Sequence, residues 1–120
     1  MKKKNSLIIF LLGSILLSSC YRLREAPCEE VAEFERPDEV NLVIESSSGN
    51  PYKLKLEGID PITSQKSKFQ RQNYTWAQWF INDIAVGDTV VKRKGELKFY
   101  IHKADTILVF PFKCKGEVFN

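Results

Sequence analysis

The stretch Thr89-Val-Val-Lys-Arg-Lys-Gly-Glu-Leu-Lys-Phe-Tyr-Ile-His-Lys-Ala-Asp-Thr-Ile-Leu-Val-Phe-Pro-Phe112 carries the strongest fold signal in the chain. It holds three β-rich runs, Thr89 to Arg93, Leu97 to His102 and Thr106 to Phe112, joined by Lys94-Gly95-Glu96 and Lys103-Ala104-Asp105. Connections this short leave no room for a crossover, so the runs predict an antiparallel three-stranded meander. In the middle run Leu97, Phe99 and Ile101 share one face, and Lys98, Tyr100 and His102 the other. Leu108, Phe110, Phe112 and Cys114 line one face of the last run. Pro111 cannot donate to a ladder, which places it at a strand end or on an edge.

Working back from this stretch, Thr75 to Val86 reads as a helix. Trp76, Trp79, Phe80, Asp83 and Ile84 recur at helical spacing, Thr75 and Gln78 stand at capping-box distance, and Gly87 supplies an exit residue. The alternation of Tyr74, Trp76, Gln78 and Phe80 keeps a strand open as the alternative. Residues 62–73 are polar and read as a loop. Val40 to Glu45 and Tyr52 to Glu57 flank Ser46-Ser47-Ser48-Gly49-Asn50-Pro51, the pattern of a β-hairpin with Tyr52, Leu54 and Leu56 facing inward. The expected fold is α+β: a small β-rich domain over 40–120, an antiparallel hairpin plus a three-stranded meander with one helix. About 80 residues bury only a marginal core, so a covalent staple is useful.

Residues 20–39 are polar and mostly acidic. Glu25, Glu29, Glu30, Glu33, Glu35, Asp38 and Glu39 face Arg22, Arg24 and Arg36, with Pro27 and Pro37 as punctuation. This reads as a tether, with an acidic docking segment as the alternative. Cys28 lies in it and Cys114 lies near the far end of the chain. A bridge between them closes a loop of about 86 residues, worth of order 4–5 kcal/mol before strain. It would leave seven free residues after Cys20, about 23 Å at full stretch. Two unpaired thiols are the alternative; a redox-active C-x-x-C pair is absent.

The chain has 120 residues, 18 Lys and Arg against 15 Asp and Glu, and a net charge of +3. Lys2, Lys3 and Lys4 supply the whole excess, and residues 20–120 are neutral overall, so the total does not point to an anionic partner. These lysines precede an apolar run of eleven residues, Leu7 to Leu17, and then Ser18-Ser19-Cys20. As a helix the run rises about 16 Å, roughly half a hydrocarbon core. It therefore reads as a secretory leader over 1–19 and not as a span.

The ending Leu17-Ser18-Ser19-Cys20 resembles the lipobox of bacterial lipoproteins. The resemblance implies diacylglyceryl modification of Cys20, cleavage before it and acylation (palmitate) of the new amine, hence a membrane partner held through lipid. In enterobacterial lipoproteins an Asp after the cysteine favours inner-membrane retention. Tyr21 stands there instead, which implies the outer membrane in a two-membrane host. The segment Ala85-Val86-Gly87-Asp88-Thr89-Val90-Val91-Lys92-Arg93-Lys94-Gly95 resembles a V-G-D-S/T-[VI]-x-K-x-x-G pattern of small uncharacterised Bacteroidota lipoproteins. That implies a Gram-negative envelope and carries no activity with it.

Catalytic chemistry finds little support. His102 is the sole histidine, on a polar strand face without an evident nucleophile or orienting partner. No nucleophile elbow, H-E-x-x-H, P-loop or dinucleotide-binding glycine pattern is present. No catalytic residue, metal or cofactor is expected, and a small envelope enzyme using His102 is the alternative. Two candidate binding surfaces stand out. Lys92, Arg93 and Lys94 form a basic hairpin tip, with Lys98, Lys103, Lys113 and Lys115 on nearby strands, within residues 46–120 that carry 12 basic and 7 acidic groups. Against this, lysines also guard edge strands from pairing. Tyr74, Trp76, Trp79 and Phe80 lie near Lys66, Lys68 and Arg71 as an aromatic platform for sugars or single-stranded nucleic acid, or serve as core. The functional expectation is a lipid-anchored, non-catalytic binding or accessory module of the cell envelope with a protein or glycan partner and no nucleic acid. Replacing Cys20 by Ser is expected to leave the leader uncleaved and to release the protein from the membrane fraction. Unchanged processing and fractionation would remove the lipoprotein reading.

Overall fold

The computed structural model describes residues 26–120; the stretch 1–19 read as a leader, and Cys20 and Tyr21, lie outside them. The fold is a small, mostly β member of the α+β class. One helix, α1 (Cys28–Glu35), precedes seven strands: β1 (Val40–Asn50), β2 (Lys53–Ile59), β3 (Lys66–Gln72), β4 (Thr89–Lys92), β5 (Lys98–His102), β6 (Ile107–Cys114) and β7 (Glu117–Phe119). They form a single antiparallel sheet in the order β3-β2-β1-β4-β5-β6-β7. The expected hairpin and separate meander are thus parts of one continuous sheet, because β1 pairs with β4 over Val40–Val43.

Local chemistry explains the joins. At the β1–β2 turn the Asn50 side-chain oxygen accepts from the backbone N–H groups of Tyr52 and Lys53 at 2.8 and 3.1 Å. The register slips between Ile44 and Ser46, and opposite this bulge stands Gly58. A Cβ there would lie 2.0 Å from the Val43 carbonyl oxygen, so only glycine permits the approach. Tyr52, expected inward, is 75% exposed because it belongs to the turn; Leu54 and Leu56 are buried as read. Residues 62–73, read as a loop, contain β3, whose single buried residue is Phe69.

The expected helix over 75–86 is replaced by two short 3-10 segments, Thr75–Trp79 and Ile81–Asp83. The chain breaks at Phe80 (φ −128°, ψ −11°), and the residue at the first N-terminal cap is Tyr74, with no side-chain cap. The break turns Trp79 outward while Trp76, Ala77 and Phe80 enter the core. There Trp76 meets Phe99 edge-on at 4.8 Å and Phe112 at 5.3 Å, and Phe80 stacks on Phe99 at 4.4 Å. Such pairs add about 0.5–1.5 kcal/mol each beyond area burial. β6 runs through Pro111 without conflict, since β7 pairs with β6 only over Phe112–Cys114 and leaves the outer side of Pro111 without a ladder.

The acidic stretch read as a tether contains α1, with Ala32 and Glu35 buried against the domain. Two contacts hold this helix. Its first residue, Cys28, is bonded to Cys114 of β6, their Cα atoms 5.7 Å apart. At its other end the ammonium of Lys92, on β4, donates to the carbonyls of Arg36 (3.2 Å), Asp38 (2.7 Å) and Arg93 (3.3 Å). Carbonyls just past a helix end have no intrahelical donor, and a cation there also complements the helix dipole. Replacing Lys92 by Met preserves the stem, and the carbonyls of Arg36 and Arg93 keep the backbone N–H groups of Gly95 and Glu96. The Asp38 carbonyl loses its donor, at a cost of about 1–3 kcal/mol. The urea midpoint of the variant should fall accordingly; an unchanged midpoint would show that the ammonium holds nothing.

Candidate functional site

Between α1 and the end of β3 lies a cleft of about 500 Å³, lined by Ala26, Glu30, Val31, Phe34, Glu35, Asp38 and the run Arg71-Gln72-Asn73-Tyr74. This is within the range of about 300–1,000 Å³ typical of small-molecule sites. Glu30 and Phe34, like Val31 and Glu35, are four residues apart, so α1 presents them as one wall. Phe34 is 82% exposed at the mouth, while Glu35 is only 7% exposed in the depth. Opposite, Asn73 takes a left-handed conformation (φ 53°) and turns the chain from β3 into the segment that carries Tyr74.

The charges here are unevenly satisfied. Arg71 donates to one oxygen of Asp38 through Nη2 and Nε at 2.9 and 3.2 Å and lies 4.3 Å over the Phe69 ring. Glu35 takes part in no ion pair among the described residues. Burial, reinforced by the neighbouring Asp38, pushes its carboxyl up to about 7; the Tyr74 hydroxyl, Lys92 and Arg71 pull the other way without winning. The Tyr74 hydroxyl faces Glu35, but not in regular hydrogen-bond geometry, and Oη has no partner among the described residues. Burial first, then the Glu35 charge, raises the phenol far above its ordinary value, so it stays protonated. Lys92, despite its burial, keeps its ammonium on backbone carbonyls.

The surfaces read from the sequence fare differently. Lys92, expected on an exposed tip, is fully buried, because its inward register position points it at the turn after α1. Arg93 and Lys94 are exposed, and Lys98 is half-buried. Arg93 is partly spoken for, lying 4.7 Å over Tyr100 and 3.7 Å from Glu96. The two tryptophans do not form a platform: Trp76 is core and Trp79 is 53% exposed on its own. His102 is half-buried on β5, paired with Thr89 and Ile107. Among the described residues no group of three or more His, Cys, Asp or Glu is placed to hold a metal, and no helix is long and apolar enough to cross a membrane. The sequence reading has Glu35 among the tether acids and Tyr74 among the platform aromatics, and nothing in it joins the two. The signal was there in the spacing of Cys28, Val31, Ala32 and Glu35 on one helical face, hidden among seven acidic residues.

The chain matches no protein-family model, no characterised protein and no solved structure at a significant level.

The raised Glu35 has a defined consequence for stability. The unfolded chain releases this proton near 4.5 and the folded one near 7, so the folded state is favoured at low pH and loses that advantage as pH rises through about 7. The full loss is about 3 kcal/mol at most. Unfolding free energies of the wild type and Glu35→Gln, compared from about pH 5 to about pH 8, are expected to diverge in favour of the variant as pH rises. Parallel curves would rule out a proton held on Glu35.

Proposed function

We propose that the chain is a lipid-anchored cell-envelope protein whose domain is a non-catalytic binding module, with the cleft beside α1 as its binding site. The observation that carries this reading is the pairing of a deep, unpaired Glu35 and an unpartnered Tyr74 hydroxyl with an apolar mouth at Val31 and Phe34. Buried polar groups are costly when unsatisfied, and a pocket that retains them keeps partners for something that enters it. The lipobox resemblance at Leu17-Ser18-Ser19-Cys20 supplies the anchor in this reading. With Cys28 pinned to Cys114, only seven residues separate Cys20 from the domain's covalent staple, so in this reading the cleft at the start of the domain works close to the lipid surface. The V-G-D-T pattern from Val86 favours a Gram-negative envelope, and Tyr21 favours the outer membrane.

The cleft's size suits a small molecule or one projecting group of a larger partner. A photoreactive phenylalanine analogue in place of Phe34, irradiated in intact cells, should give a discrete adduct by intact-protein mass spectrometry. Filling the cleft with Ala26→Trp should abolish that adduct. Absence of an adduct, or one indifferent to Ala26→Trp, would overturn the cleft as the binding site.

A further inference from the structure

We propose that the cleft binds a small organic ammonium ion with an apolar body, its charged head on the Glu35 carboxyl and its body against Val31 and Phe34. This rests on the cleft being the binding site and adds the chemistry of its ligand.

Charge selects the sign of the ligand. Of the described side chains lining the cleft, Glu30, Glu35 and Asp38 are acidic and Arg71 alone is basic. Arg71 already donates twice to Asp38, and the Lys92 ammonium is committed to three backbone carbonyls, so neither supplies the cation that Glu35 lacks. An anion would meet Glu30, Glu35 and Asp38 together. A cation completes the Glu35 carboxyl, which lines the cleft at 7% exposure without an ion pair among the described residues, while the fully buried Tyr74 hydroxyl backs that carboxyl from the core side. The exposed Phe34 ring adds an electron-rich face that favours organic cations. Apolar residues at the mouth select against strongly hydrated inorganic ions and for an alkyl or arylalkyl body.

The same geometry couples binding to a proton. The groups facing Glu35 are Tyr74 and Arg71 from the β3 end and the segment after it, Lys92 from β4, and Asp38 from the turn after α1, with Glu30 on the same helical wall. With these neighbours the empty site holds Glu35 protonated up to about pH 7. An ammonium favours the carboxylate, so its entry expels that proton, and binding strengthens as pH rises.

The test is titration calorimetry of the purified protein with n-hexylammonium and the neutral alcohol 1-heptanol, one methylene longer, at about pH 6 and about pH 8. Hexylammonium is expected to bind about tenfold more tightly at the higher pH, and more tightly there than heptanol, whose affinity should not change. Glu35→Gln should abolish the pH dependence and the preference for the cation while retaining heptanol, which shows that the variant is folded. Ala26→Trp should exclude both. Hexylammonium binding no tighter than heptanol, or a pH dependence that survives Glu35→Gln, overturns the proposal. Tighter binding of an Nα-blocked lysine amide would assign the site to a polypeptide side chain and overturn the free ammonium. A Phe34 photo-adduct that hexylammonium fails to displace would remove the ligand class and leave the binding module; no adduct and no binding would remove both.

Discussion

The ammonium of Lys92 reaches from the core side of β4 to the carbonyls that follow α1, and the placement of the rest of the molecule's N-terminal side depends on that contact. A buried lysine is tolerated only when its charge is solvated by the protein, and here three carbonyl oxygens replace water. The disulfide from Cys28 to Cys114 holds the opposite end of the same helix. Held at both ends, an eight-residue helix too short to be stable alone becomes a fixed wall. Arg36 adds to the clamp by donating to the carbonyls of Gly95 and Asn120 at 3.2 and 2.7 Å.

That wall creates the cleft. Because α1 cannot swing outward, Glu35 is kept out of water although its chemistry favours exposure, and Tyr74 is kept against it. The local rules are broken together here: an acid without a counter-charge, a phenol without a partner, and an exposed phenylalanine at the rim. Agreement between local preference and global fold is the norm, and such a concentration of departures marks a site more often than an accident of packing. Outside the cleft, Trp76, Phe80, Phe99 and Phe112 form an aromatic core, in which the buried Trp76 Nε1–H also has no partner among the described residues.

Strand character was legible wherever apolar residues alternate. Leu54 and Leu56, then Phe99 and Ile101, are buried as their spacing dictates. β3 was not legible because it contributes Phe69 alone to the core and is otherwise Lys, Ser, Gln and Arg. An edge strand draws its stability from ladder hydrogen bonds to β2, which leave no trace in side-chain periodicity. The segment after Asn73 misled for a related reason. Trp76 and Phe80 recur at helical spacing, but the backbone follows the hole it must fill, and it breaks at Phe80 to fill it. Composition misled over α1: seven acids in nineteen residues read as solvated chain, and nothing local says that one of them is buried.

By itself the sequence determined the class of fold, the apolar faces of the central strands and the two cysteines available for a bridge, and its stretch Leu17-Ser18-Ser19-Cys20 resembles a lipobox. These are local properties, set by spacing along the chain. Only the tertiary structure decided that Lys92 belongs to the interior rather than to a basic surface, that α1 is part of the domain, and that Glu35 and Tyr74 share a cleft. Glu35 and Tyr74 are 39 positions apart, and Lys92 and Asp38 are 54 apart. What brings them together is the β1–β4 pairing and the Cys28–Cys114 bond, and interactions at that separation have no periodic signature from which to be read.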